Sequence, residues 1–598
     1  MRCEYLTEPQ GIDNPYSLEQ MTEWDYSPRL SWMIKTNNRL VRKYAFDTTR
    51  AKWRESIRKF KWRLDRYEVE PSNRKKLSAY RVIVALSEKD LKKGKNLLWD
   101  SKIVETTERF CFLPKEIMRS HTKYYWRVQT FIRRDYVDIL NDLKDIHDTI
   151  IESKISNFST GLLAQDWKGQ FIKHPTAEPE QHISFKKDFD LPAATASNLK
   201  HNPVFVYVAS LGYHELYING ERVGENVLSP AVSRLDKRIL YITYDISKYL
   251  KKGKNTIKVH YGAGWTLNDY FSYYGVKQGI LVQVYGANNF ELHSDTTWLC
   301  AESNSRNIGH FKFMDMGGEL VDKRRTSNRQ KWIAAAQTNL PTKPVLSAQM
   351  TDFSKVIEEI SAKEIMEIPD GKGGIIYRAD MGKEFTGFLK VTFDGLHCGD
   401  TVIMQISMRD STRRDVARGV STMQATDTVG DYIIEEQNQK QIYIANCCDC
   451  TDECDNKRAI GSKTFCNQFN YFAGRYIHFR LKPDADTKFI TRKNIKGLVV
   501  SSAPEYTAKF TGSNPLYNAI FEMDKYSFQM NHTEGVTTDC PNRERLGYGP
   551  EGAYQTAWGL ALPCFNSAAY FVKNVRDWAD VQRSDGSINN VAPQISDM

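Results

Sequence analysis

The 598-residue chain is too long for a single hydrophobic core, and at roughly 100 to 200 residues per domain it implies three to five modules. Its 83 Lys and Arg against 73 Asp and Glu give a formal net charge of +10, but the two signs are mixed along most of the sequence, which argues against nucleic-acid binding. No stretch approaches 18 uninterrupted apolar residues, so no membrane span is expected. The first twenty residues hold no apolar segment of an export signal; that absence points to the cytoplasm, or to an exported location if Met1 is not the native start.

With 31 Tyr, 28 Phe and 12 Trp, and β-branched runs through the first five hundred residues, the composition favours β-rich modules. The first is read over residues 1–155 as an immunoglobulin- or fibronectin-like sandwich. AYRVIVAL (Ala79 to Leu86) and YYWRVQTF (Tyr124 to Phe131) alternate as half-buried strands should, with LLWDSKIV between them. The basic stretch Arg39 to Arg66, which includes Trp53, Phe60 and Trp62, reads as a solvated insertion in a surface hairpin. Asp135 to Lys154 is polar and helical in flavour, a connector.

A second sandwich is expected over 160–346, from SFKKDFDL, PVFVYVASLGYHELYING, RILYITYDI and NTIKVHYGAGW. Asn219-Gly220 supplies the positive φ values of a type I′ hairpin turn. A third β-rich block spans 347–508, with IIYRADMGKEFTGFLKVTF, DTVIMQIS and YIHFRL as strands and Gly395 and Gly399 framing a break. Of the eleven cysteines seven are scattered singly. The other four, Cys447, Cys448, Cys450 and Cys454, lack the paired spacing of a zinc ribbon and read as idle thiols on a loop. No metal and no cofactor are expected.

From 509 to 598 the pattern turns helical. SNPLYNAIFEMDKYSFQM opens at Ser513 or Asn514 as N-cap, with Pro515 in the first turn, and puts Leu516, Ile520, Met523 and Ser527 on one face. EGAYQTAWGLAL and NSAAYFVKNVRDWADVQ are two further helices, the latter ending before the Asp585-Gly586 turn. Between the first two lies the densest polar segment, with Asp539, Arg543, Glu544, Arg545 and Glu551 within thirteen residues. Clustered carboxylates raise one another's pKa while neighbouring arginines lower selected ones, and two acids with two roles are what glycoside hydrolysis requires. By itself the segment could equally be a salt-bridged capping loop.

The stretch EGVTTDCPNRERLGY is similar to the catalytic-domain signature DCPxRERLGW of the bacterial α-L-rhamnosidases of glycoside hydrolase family 78. The resemblance continues along the chain at PRLSW, AYRVIVA, LLWDSK, YYWRV, LGYHELYINGERVG, LSPA, LYITYDIS, GAGW, GKEFTGF and ATDTVGDYII. It implies three β-sandwich-type modules, the third concanavalin-like, followed by the beginning of an all-α (α/α)6 barrel, and hydrolysis of terminal α-L-rhamnose from a glycoside or polysaccharide. Glu544 would be the general acid, and Asp539, Arg543 and Glu551 would hold the rhamnose hydroxyls, with Tyr548 where the family has Trp. Two places depart from the family pattern: GPEG around Glu551, and the cysteine-bearing insertion between Asn438 and Cys466.

The family inverts, so a base carboxylate is implied about 6.5 to 9.5 Å from the acid, across a water. In the family that base is a Glu late in the barrel, beyond Met598, so the 598-residue chain is expected to lack it and to be inactive alone. The alternative is a non-catalytic carbohydrate-binding protein, with Trp265, Tyr270, Tyr273 and Tyr274 stacking on sugars; a pure binder needs no proton-donating Glu544. A polysaccharide lyase ranks last, since the loop offers Tyr548 and no His as a base.

Overall fold

The computed structural model describes the chain apart from residues 18, 34–74, 138–143, 198, 200, 201, 269–275, 326–329, 410–424, 431, 447–462, 483, 484, 546, 548–559 and 594–598. The basic stretch from Arg39 to Arg66 and the four clustered cysteines therefore lie outside the described residues. Contacts divide the chain into two compact units, one of residues 1–9, 26–118 and 123–159, the other of 10–25, 119–122 and 160–598.

In the first unit the alternating runs form a six-stranded antiparallel sheet, built on Lys75–Ala85 and Lys123–Val137 with Val82 opposite Val128 and Val84 opposite Trp126. The alternation buries Val82, Val84, Tyr124, Trp126 and Val128, and Tyr124 stacks on Phe158 with ring centroids 5.0 Å apart. One expectation fails here. Lys144–Glu152, within the segment read as a helical connector, is a strand paired along Lys123–Val137 from Gln129↔Glu152 to Val137↔Lys144. Its Asp and Lys content mimicked a solvated helix, whereas Ile146, Thr149, Ile150 and Ile151 suit an antiparallel partner.

The second unit is dominated by two sheets. A seven-stranded sheet includes Phe205–Ser210, Arg238–Asp245 and Ile280–Gly286. A fifteen-stranded sheet runs from the hairpin Tyr213–Ile218/Glu221–Arg222 across to Ile495–Ser501 and Lys355–Ser361. Their facing side chains share one core, with Val206, Val208, Ile242 and Val282 from the first against Leu216, Ile257, Val259, Ile183 and Phe185 from the second. The Asn219-Gly220 turn has φ of 52° and 87° at its two central residues, as a type I′ turn requires.

The large sheet crosses the boundary expected near residue 346. Gly318–Asp322 pairs in parallel with Lys440–Ile444, and in the seven-stranded sheet Val345–Ala348 pairs in parallel with Arg238–Asp245. A second core, around Phe385, Leu389, Met404, Ile477, Phe479 and Val499, lies under the far half of this sheet. Cys398, counted among the scattered single cysteines, is disulfide-bonded.

Two helices follow. Pro515–Asn531 is capped by Asn514, whose side chain accepts from the Leu516 N–H at 3.0 Å. Only Phe528 and Met530 of this helix are buried, and the Leu516, Ile520 and Met523 face is exposed. Ala568–Val581 instead packs into the unit. Its Lys573 ammonium donates to the Val232 carbonyl at 2.8 Å, and Arg238 makes a two-pronged pair with Asp580 at 2.8 and 3.2 Å. Of the helix expected from EGAYQTAWGLAL, the described part is a short turn ending in Leu562–Cys564. Among the described residues no helix is long and apolar enough to cross a membrane.

Candidate active site

The polar segment is reached through a small hairpin. After helix Pro515–Asn531, His532–Thr533 pairs with Val536–Thr537 around a turn at Glu534 and Gly535, whose φ values are 54° and 70°. Gly535 suits this conformation, and a Cβ there would come within 2.9 Å of Thr351. A glutamate in the left-handed region is strained and persists only where its surroundings hold it. Glu534 is held on all sides: Tyr213 Oη donates to Oε1 at 2.6 Å, Trp265 Nε1 donates to Oε2 at 3.0 Å, and its own N–H donates to Ser354 Oγ at 2.9 Å. Burial pushes the carboxyl up to about 7, against the lowering effect of these donors and of the Arg545 charge.

The chain then turns through DCPNRER. The N–H groups of Arg543 and Arg545 both point to the Cys540 carbonyl at 3.2 Å, which curls residues 540–545 tightly. Side chains on this turn divide by environment. Asp539 and Cys540 are half-buried, and the side chains of Arg543 and Glu544 are 39 % and 20 % exposed. Glu544 Oε1 pairs with the Arg543 Nε, while Oε2 is buried with no hydrogen-bond partner among the described residues. Carboxylate oxygens of Asp539 and Glu544 and the Cys540 sulfur lie within 4.8 Å of one another. Burial, reinforced by the two acidic neighbours, pushes the Cys540 thiol up to about 12, so it is neutral at ordinary pH and a weak metal ligand.

Arg545 points the other way and is completely buried. Its Nε donates to the Pro541 carbonyl at 2.8 Å, Nη1 to Asn470 Oδ1 at 3.2 Å and Nη2 to the Tyr471 carbonyl, with the guanidinium 4.0 Å from the Tyr471 ring centroid. Gly547 explains itself sterically: a Cβ there would sit 1.8 Å from the Ala592 carbonyl oxygen.

The structure thus brings Asp539, Arg543 and Glu544 together, while Tyr548 and Glu551 lie outside the described residues. Trp265 is not a sugar platform: it is buried beside Phe311 and spends its N–H on Glu534. Tyr270, Tyr273 and Tyr274 are outside the described residues. Sequence reasoning missed Glu534 and the contrast between Arg543 and Arg545. The one available signal was an acidic residue before glycine in a turn, where Asn or Asp is usual.

Residues 200–359 match the α-L-rhamnosidase N-terminal domain, residues 505–598 the bacterial α-L-rhamnosidase six-hairpin glycosidase domain, and residues 54–138 the N-terminal immunoglobulin domain of Rha78A-like proteins. The chain belongs to the α-L-rhamnosidases of glycoside hydrolase family 78. An α-L-rhamnosidase of Formosa agariphila is 24% identical over 507 residues, covering 79% of this chain and 49% of that protein. The α-L-rhamnosidase structure from Dictyoglumus thermophilum superposes with a TM-score of 0.72 at 22% identity, over 99% of this chain and 58% of that one. The Streptomyces avermitilis α-L-rhamnosidase complexed with L-rhamnose gives 0.68 at 17% identity, over 99% and 66%. The chain spans about half the length of the curated relative, and its fold is mostly β and multidomain with a six-hairpin glycosidase domain.

Proposed function

We propose that this protein takes part in the hydrolysis of terminal α-L-rhamnose from glycosides or polysaccharides, by an inverting acid/base mechanism with Glu544 as the general acid. The observation that carries the reading is the exposed face of the 539–545 turn, where Glu544 stands beside Asp539 and Arg543 within the family's signature segment. Arg543 pairs with Oε1 of Glu544 and fixes the carboxyl on this face of the turn. Asp539 and Arg543 would hold rhamnose hydroxyls, with Tyr548 and Glu551 completing the pocket. The surrounding architecture on this reading is three β-sandwich-type modules leading into an (α/α)6 barrel.

Inversion needs a second carboxylate about 6.5 to 9.5 Å from the acid, with room for a water between them. Asp539 is too close to serve, since its oxygen lies within 4.8 Å of Glu544. That spacing supports a binding role for Asp539 and a base drawn from elsewhere in the enzyme.

The test is hydrolysis of p-nitrophenyl α-L-rhamnopyranoside by the natural full-length protein, followed by proton NMR. Rhamnose appearing first as the β-anomer supports the reading. Appearance first as the α-anomer would make the enzyme retaining and Asp539 a candidate nucleophile. Rhamnoside binding without cleavage would favour the carbohydrate-binding alternative.

A further inference from the structure

Arg543 and Arg545 flank Glu544, yet they face opposite environments. Arg543 is on the exposed side of the turn and touches the proposed acid, whereas Arg545 is wholly inside. A buried guanidinium is costly unless its donors and its charge are met, and here both are. Three acceptors take its N–H groups, Phe311 and Tyr471 present ring faces at 5.2 and 4.0 Å, and Glu534 supplies the opposite charge.

The acceptors are themselves fixed. Asn470 donates its amide to the carbonyls of Met316 and Gly318, each at 3.2 Å. Glu319 Oε1 gathers the N–H groups of Gln468, Phe469 and Asn470, the first and last at 2.9 and 2.8 Å. The loop 468–471, tied down by Glu319 and by the carbonyls of Met316 and Gly318, therefore grips Arg545, and Arg545 grips Pro541 across the turn that carries Glu544. The Arg545 backbone, with φ of 50°, sits where few non-glycine residues rest unaided.

We infer that Arg545 is a positioning residue for the reaction: clamped between Asn470, Tyr471 and Pro541, it sets the place of Glu544 without touching substrate. The inference rests on the proposed role of Glu544 as acid. Lysine at position 545 would keep the charge but lose the planar fork that reaches three acceptors at once.

The experiment is a double-mutant cycle on the natural full-length protein, with an alkyl α-L-rhamnoside, whose leaving alkoxide needs a proton, as substrate. Arg545→Lys should lower kcat about 100-fold with KM changed less than about threefold, the scale of an ångström of misplacement. In a Glu544→Gln background the same substitution should cost less than about threefold, because the group it positions is already gone. Asn470→Ala, which removes one acceptor without altering the turn, should follow the same pattern with a loss of about tenfold. It carries the test if Arg545→Lys does not fold. Losses of equal size in both backgrounds would overturn the inference and leave Arg545 a structural residue. If Glu544→Gln alone leaves kcat unchanged, it is the assignment of the acid that fails, and the inference falls with it.

Discussion

Two kinds of charge meet in the twelve residues from Glu534 to Arg545. At the hairpin and beneath the turn, Glu534 and Arg545 are 1 % and 0 % exposed, and both are held by hydrogen bonds from distant parts of the β-rich unit as well as from their own loop. On the outer side of the same turn, Asp539, Arg543 and Glu544 reach partial exposure. The inner pair holds, and on the proposed function the outer trio acts. Desolvated charges with rigid partners cannot reorganise around a substrate, while half-exposed ones can be completed by it.

That division can be broken from either side. The largest expected effect on stability is on the inner side: Glu534→Ala removes the carboxylate facing a buried guanidinium and should cost about 3 to 5 kcal/mol, read from denaturant unfolding. On the outer side, Asp539→Asn should change stability by less than about 0.5 kcal/mol. It should lower kcat/KM by about 10- to 100-fold, the loss of a charged hydrogen bond to a sugar hydroxyl. If instead Asp539→Asn destabilised the fold as much as Glu534→Ala, the division would be wrong.

A pH series sharpens the same contrast. Burial pushes Glu534 and Glu319 up to about 7 from an ordinary 4.5, so the folded protein keeps protons that the unfolded chain releases. The contribution of each is full below about pH 4.5 and is lost as the pH rises to about 7. The unfolding free energy of the native protein relative to Glu534→Gln should therefore fall across that interval and level off above it. A difference that rises over the same range would contradict the burial argument. The smallest effect belongs to the exposed face of helix Pro515–Asn531, where Met523, 58 % exposed, should tolerate Gln within about 0.5 kcal/mol in this chain.

Much of this was legible in the residues because it is local. Alternation marked the strands through Ala79–Ala85 and Tyr124–Phe131, the Asn219-Gly220 pair marked its turn, and Asn514 with Pro515 marked a helix start. The proposed acid was picked out by a signature whose spacing survives in DCPNRERLG. What stayed hidden depends on distant partners. Nothing near Leu320 announces that it pairs with Ile442, and Lys144–Glu152 is a strand only because Lys123–Val137 is long enough to receive it. Likewise Arg543 and Arg545 are chemically the same side chain. Only Asn470 and Tyr471, over seventy residues earlier, make one an anchor and leave the other beside Glu544.

Leaving-group dependence tests Glu544 as the proton donor most directly. Nitrophenolate departs without a proton, whereas an alkoxide does not, so kcat/KM for an alkyl α-L-rhamnoside and for the p-nitrophenyl one should respond differently to Glu544→Gln in the full-length protein. The prediction is a loss of about 100- to 10,000-fold on the alkyl substrate and a far smaller one on the nitrophenyl substrate. Equal losses on both, or none on either, would contradict it.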